Sequence, residues 1–353
     1  MINKGSNSNS ISSSRRQSNF ELLRIIAMVL VLVVHADVFS LNGPNSSQSA
    51  SDFTRMFFQC LSVTCVDIFI LISGWFGINP NLKGFSKFIF QWLFFSVTIY
   101  LALAILGKIP FNIAGLLGCL KFNQGGYWFI CSYIILYILS PMLNAGISSI
   151  TRHQHKWIII CFHLFVFIYS WCFLQSEFAH GYSAICFIGL YVLARYVKIY
   201  NPKFSSFKKN CYLYIFAAII IFNTLFLALA IYLHRDGIPV RMMMFYETPT
   251  TIMAALSLLI YFSKLYIKSN LINWVASSSF AVYLLHTHYT LLGEYANTVR
   301  HLYHSYDGII ALSAIGLFII FVFIISILAD QPRKFLWNSL WNQYEKMSKK
   351  NKH

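Results

Sequence analysis

The stretch Phe20-Glu21-Leu22-Leu23-Arg24-Ile25-Ile26-Ala27-Met28-Val29-Leu30-Val31-Leu32-Val33-Val34-His35-Ala36-Asp37-Val38-Phe39 decides the fold of this chain. As a helix it is long enough to cross a hydrocarbon core of about 30 Å, which takes about 20 residues. Arg24 and His35 stand eleven residues apart inside it, ionisable groups where a membrane helix ordinarily carries none. Eleven residues make three helical turns plus about 20°, so the two side chains share one face, about 16.5 Å apart along the axis and one near each leaflet. Ionisable groups in a spanning helix are costly and face a bundle interior, a cavity or a substrate path. The plain structural alternative is an arginine that snorkels to the interface and a histidine buried in the core.

Composition places the rest of the chain in the same class. Hydrophobic residues make up 58% of it and charged residues only 11%, and the mean hydropathy is +0.61. That is too apolar for a soluble globule. Two further runs are free of charge, Cys211 to Leu233 and Ile309 to Ala329. Met56 to Ile78, Phe88 to Gly107, Tyr127 to Ile147, Trp157 to Leu174 and Leu271 to Gly293 are of similar length. Gly181 to Ala194 and Thr248 to Ser263 are shorter and count as spans because the charge pattern requires the chain to cross there. The expectation is an all-α, polytopic membrane helix bundle of about ten transmembrane helices with both termini cytoplasmic.

That topology sorts the basic residues. Of 27, it leaves only Arg55, Lys108, Lys121, Arg235, Arg241 and Arg300 outside and puts the other 21 within the cytoplasm, the bias that cytoplasmic loops carry. The net charge of +16 is therefore a topology signal, with attraction to anionic lipid or cytosolic anions, and gives no support for nucleic-acid binding. Residues 1–19, rich in Ser and Asn, are expected to be a disordered cytoplasmic lead. Residues 20–341 form the transmembrane domain and 342–353 a basic cytoplasmic tail. The first run lacks a small-residue cleavage site and is taken as an uncleaved signal anchor. The eight cysteines lie mostly within spans and show no metal-ligand spacing, so they are expected to be small apolar core residues.

Three other stretches carry candidate chemistry. The second span contains Val66-Asp67-Ile68-Phe69-Ile70-Leu71-Ile72-Ser73-Gly74-Trp75. Asp67 falls at mid-membrane, between the levels of Arg24 and His35, where an acid needs a partner or a proton. Ser73 and Gly74 fall near the depth of Arg24, and the alternative for them is close helix packing. The ninth span contains Tyr283 and His286, three apart and so neighbours on a helix surface, with His286 near the level of His35. A lone histidine there is equally a hydrogen-bonded core residue. The outer side carries Glu177, His180, Arg235, Asp236, Arg241 and Glu247 beside Tyr127 and Trp128, a mixture that suits a hydroxyl-rich acceptor or simply solvated loops and an aromatic belt. Pro141 is expected to interrupt the hydrogen-bond ladder of the fourth span near its inner end.

Together these residues resemble acyltransferase family 3, multi-pass bacterial enzymes that O-acylate surface polysaccharides. Arg24 through His35 looks like the family's first-helix motif, a basic residue, ten others, then His. Val66-Asp67 through Ser73-Gly74-Trp75 is similar to its second-helix motif, and Tyr127-Trp128-Phe129 through Ser140-Pro141 to its Trp-Phe helix. Phe280 through His286 resembles its penultimate-helix motif, and Asp330-Gln331-Pro332 the acid-x-Pro that closes its last helix. The resemblance runs from about Phe20 to Trp341. One departure stands out: many members carry Arg-x-x-Arg before the third helix, where this chain has Lys83 and Lys87, which lack the bidentate fork for phosphate.

The resemblance implies a membrane O-acyltransferase of the bacterial cytoplasmic membrane, most often an O-acetyltransferase. Acyl-CoA, usually acetyl-CoA, is the cytosolic co-substrate and a hydroxyl of a polysaccharide or lipid-linked glycan the acceptor, with no permanently bound cofactor or metal. On that reading His35 is a general base or a transient acyl carrier, and Asp67 orients or charge-stabilises its imidazole. Arg24, Ser73, Gly74, Lys83 and Lys87 lie on the donor side, and Tyr283, His286 and Trp128 on the acceptor side. The competing class is a transporter or exporter of a glycan or small solute, which also places Arg, His and Asp in the membrane. It predicts paired broken helices in symmetric halves, and the sequence shows none.

Overall fold

A computed structural model describes residues 17–121, 127–172, 178–234 and 245–350. The N-terminal lead to residue 16 and the residues Glu177, Arg235, Asp236 and Arg241, expected on the outer side, lie outside them. The described residues are helices joined by short turns. Six segments are long and apolar enough to cross a membrane: Ser18–Ser40, Ala50–Phe76, Leu82–Ile105, Trp128–Ser149, Lys209–Tyr232 and Gly308–Lys350. A helical membrane bundle follows from them.

The first segment, α1 (Ser18–Val34), runs directly into a π-helical turn at His35–Ser40. The second bends at Val63–Thr64 into α2 (Ala50–Ser62) and α3 (Cys65–Phe76). At that bend the Ser62 and Thr64 hydroxyls donate to the Gln59 and Leu61 carbonyls, hydrogen bonds that compete with the helical ladder. Next come α4 (Leu82–Ile105), a short α5 (Ile113–Gly118), α6 (Trp128–Ser149), α7 (Arg152–Cys172), α8 (Ala184–Tyr200), α9 (Lys209–Tyr232) and α10 (Pro249–Ser263). The expected span from Leu271 to Gly293 is broken. It comprises α11 (Asn270–Ala276) and α12 (Ser279–His286), followed by α13 (Leu292–Ser305). The break falls in the Ser277-Ser278-Ser279 run, where the Ser277 hydroxyl donates to the Trp274 carbonyl.

Two prolines break nothing. α6 continues past Pro141 because the Ser140 hydroxyl donates to the Tyr137 carbonyl, which has lost the proline N–H. The last helix, α14 (Gly308–Lys350), passes through Pro332 and does not close at Asp330-Gln331-Pro332 as the motif implies. There the Gln331 side-chain amide donates to the Ile327 carbonyl at 2.6 Å, and Arg333 grips Asp330 through two hydrogen bonds of 2.8 and 2.9 Å. At 43 residues α14 is about 64 Å long, twice the hydrocarbon thickness. The described part of the expected tail, up to Lys350, continues that helix.

Helix α1 is central, packing against α2, α3, α10, α11, α12 and α14. Gly74 fixes the seam between α3 and α8: a Cβ there would lie 2.6 Å from the Tyr191 carbonyl oxygen. Small residues of this kind let helix backbones approach closely where lipid offers no hydrophobic drive for helices to associate.

Candidate active site

A cavity of about 360 Å³ opens beside α1, with Arg24 and Lys87 at one end and His35 at the other. A second space of about 340 Å³ abuts it, sharing Arg24, Ser73, Gly84, Phe88 and Tyr133. The walls between are aromatic, with Phe88 stacked on Phe280 at 4.9 Å, Phe129 on Tyr133 and Phe280 on Tyr283. The one-face relation of Arg24 and His35 thus becomes two ends of one cavity.

His35 Nδ1 lies 2.7 Å from His286 Nε2, and His286 Nδ1 lies 2.6 Å from the Val282 carbonyl oxygen. A carbonyl only accepts, so His286 Nδ1 carries a proton. With both rings neutral, His286 Nε2 is then an acceptor, His35 Nδ1 is the donor, and His35 Nε2 keeps a bare lone pair. No described residue hydrogen-bonds that nitrogen. His286 is buried and off the cavity wall, so it holds His35 from behind. Its ring meets that of Tyr295, whose hydroxyl donates to the Leu32 carbonyl at 2.8 Å.

The π-helical turn that begins at His35 is fastened by neighbouring helices. Asp37 accepts from Arg55 Nε at 2.8 Å, and both side chains are buried. Arg55 also donates to the Tyr303 hydroxyl and lies over its ring, while Arg300 donates to the Ser40 carbonyl. π-turns inside helices frequently mark functional sites. Sequence reasoning counted Arg55 only among the outside charges and did not single out Asp37. The eighteen-residue separation gives no local signal of the pair.

The remaining candidates divide. Arg24 is 34% exposed on the cavity side and forms a 2.6 Å ion pair with Glu21. Ser73, Lys87, Trp128 and Tyr283 lie on the wall. Trp128 is propped by Tyr182 and stacked on Tyr246. Lys83 points away, paired with Glu345 at 3.3 Å and set over the Trp341 ring. Gly74 is buried against α8, off the cavity wall. Asp67 is fully buried, and among the described residues neither carboxyl oxygen has a hydrogen-bond partner, His35 included. In this geometry His286 occupies the place behind the imidazole that the sequence assigned to Asp67. Gln91, Tyr133, Tyr246, Ser277 and Ser279 complete the polar wall and were not singled out from sequence.

The acyltransferase domain model of family 3 matches residues 17–330, which takes in every wall residue of this cavity. The chain belongs to that acyltransferase family. No curated protein and no solved structure matches it. His35 Nε2, without a hydrogen-bond partner among the described residues, stands at one end of an aromatic-walled cavity. Membership supports a membrane acyltransferase over the exporter alternative.

Proposed function

We propose that the chain is an O-acyltransferase of the bacterial cytoplasmic membrane, moving an acyl group, usually acetyl, from cytosolic acyl-CoA to a hydroxyl of an exported or surface polysaccharide. The observation carrying this reading is the cavity that joins Arg24 and Lys87 to the unpartnered Nε2 of His35. Arg24 and Lys87 meet the anionic end of CoA, and the pantetheine arm lies along the aromatic walls, its thioester beside His35. Lysine acts on phosphate as a point charge, so Arg24 supplies the bidentate grip.

His35 Nε2 takes the proton of the acceptor hydroxyl as that oxygen attacks the thioester carbonyl. The carbon–sulfur bond then breaks, and the imidazolium returns the proton to the CoA thiolate, so the reaction needs no outside acid or base. His286 keeps the His35 proton on Nδ1 throughout, as the orienting member of a nucleophile–base system does. An acyl-imidazole on the same Nε2 is the alternative route. Trp128, Tyr283 and Tyr246 line the acceptor side.

The topology belongs to the same proposal: ten crossings, with α7, α8, α10 and the broken α11–α12 pair completing the six long spans, and both termini cytoplasmic. Reporter fusions at Lys121 should read external and at Lys203 internal. Mass spectrometry of surface polysaccharide from cells with and without the gene tests the activity. An acyl mass increment that depends on the gene is expected, and identical glycan masses would overturn the reading.

A further inference from the structure

The end of the bundle that the charge sorting assigns to the cytosol carries a second, open groove of about 610 Å³. It lies apart from the cavity of His35, between the start of α7 and the turn that follows α8. Its walls include Arg152, His153, Lys156, Tyr196, Lys203 and Phe204. Arg152, Lys156 and Lys203 are all exposed, and none forms an ion pair among the described residues. Arg152 is held over the Tyr200 ring at 5.8 Å, which leaves its guanidinium edge open to an anion.

The two segments that carry this charge hold no acid of their own. The sequence contains no Asp or Glu between Asp67 and Glu177, and none between Glu177 and Asp236. Both loops that build the groove fall inside those stretches, and the second adds Lys208 and Lys209. Cytoplasmic loops of membrane proteins carry an excess of Lys and Arg, so the charge alone reports topology; this groove differs in that three cations from two separate connections converge on one concave wall. Phe204 on the groove wall is 45% exposed, and the same two segments carry two further exposed rings, Trp157 at 48% and Phe207 at 55%. A free phosphate needs the cations alone, whereas a lipid needs cations for its headgroup and apolar surface for its chains.

We infer that this groove binds the headgroup phosphate of an anionic phospholipid, with Arg152, Lys156 and Lys203 as the cationic contacts and Trp157, Phe204 and Phe207 beside the acyl chains. The site is independent of the acyl-transfer reading, since it shares no wall residue with the His35 cavity. Its occupant ties the α6–α7 and α8–α9 connections to the membrane surface.

The test is native mass spectrometry of the full-length protein in detergent, titrated with dioleoylphosphatidylglycerol or dioleoylphosphatidylcholine. One phosphatidylglycerol should bind in preference to phosphatidylcholine. The variant Arg152→Gln/Lys156→Gln/Lys203→Gln should weaken that binding on the order of a hundredfold, the product of about fivefold for each cation. Lys346→Gln/Lys349→Gln/Lys350→Gln should leave it unchanged, which separates the groove from general loss of charge. All three substitutions in the groove lie on exposed side chains, and matching gel-filtration profiles establish that the variant is folded. Unchanged phosphatidylglycerol binding by the groove variant would overturn the inference. So would equal weakening by the tail variant, or displacement of the lipid by millimolar sodium pyrophosphate, which would mark the groove as a free-phosphate site.

Discussion

Replacing His286 by phenylalanine keeps a ring of similar size behind His35 and removes the acceptor that fixes its tautomer. The His35 Nδ1–H then faces apolar surroundings with no partner, since His286 Nε2 is the group that receives it. Leaving a buried donor unsatisfied costs about 1–3 kcal/mol. Moving the proton to Nε2, where the cavity offers solvent, escapes that cost. The reactive tautomer therefore becomes the minor one by about 1–3 kcal/mol, and kcat should fall about 5- to 150-fold. KM for acyl-CoA should hardly move, because His286 is off the cavity wall. The ceiling is set by His35→Ala, which removes the base itself and should cost about 10²- to 10⁴-fold. Release of CoA thiol by purified protein, with unacylated glycan as acceptor, measures both. Residues acting as one unit are non-additive, so the double variant should be no slower than His35→Ala alone. A His286→Phe enzyme with wild-type kcat, or two losses that simply multiply, would refute the tautomer argument.

Arg24→Lys keeps the charge and loses the fork, so KM for acyl-CoA should rise about tenfold with kcat changed less, read in the same thiol assay. Arg55→Met strands the buried Asp37 carboxylate beneath the π-turn; breaking such a pair costs about 3–5 kcal/mol and should appear as a lower melting temperature in detergent, with Arg55→Lys partly restored. Gly74→Ala drives a methyl to within 2.6 Å of the Tyr191 carbonyl and should cost about 1–3 kcal/mol of stability. Activity per folded Gly74→Ala molecule should be unchanged, whereas a donor-contact role would raise KM for acyl-CoA.

The parts of this account legible in sequence are those set by local periodicity. The Arg24–His35 spacing placed both groups on one face, and the cavity joins them. Depth counting put His286 at the level of His35, and the two rings are in hydrogen-bond contact. Depth is one coordinate, however, and it says nothing of which way a helix faces. Asp67 has a depth between the two bases and points elsewhere, with both oxygens unpartnered. Lys83 and Lys87 are one helical turn apart on α4, yet only Lys87 lines the cavity while Lys83 turns to Glu345. Pro141 does remove a ladder bond, but the Ser140 hydroxyl donates to the Tyr137 carbonyl and α6 continues. The acid-x-Pro motif implies a helix end that α14, running through Pro332, does not have. The π-turn had no sequence signal at all, because Asp37, Arg55 and Tyr303 come from three separated segments.

The central claim is that His35 Nε2 is the atom that handles the acceptor proton or the acyl group. Its most direct test is the mass of surface glycan from cells lacking the gene and supplied with wild-type or His35→Ala protein at equal membrane abundance. The account predicts that the acyl increment returns with the wild type and stays absent with His35→Ala. Full acylation of the glycan by the His35→Ala protein would contradict it.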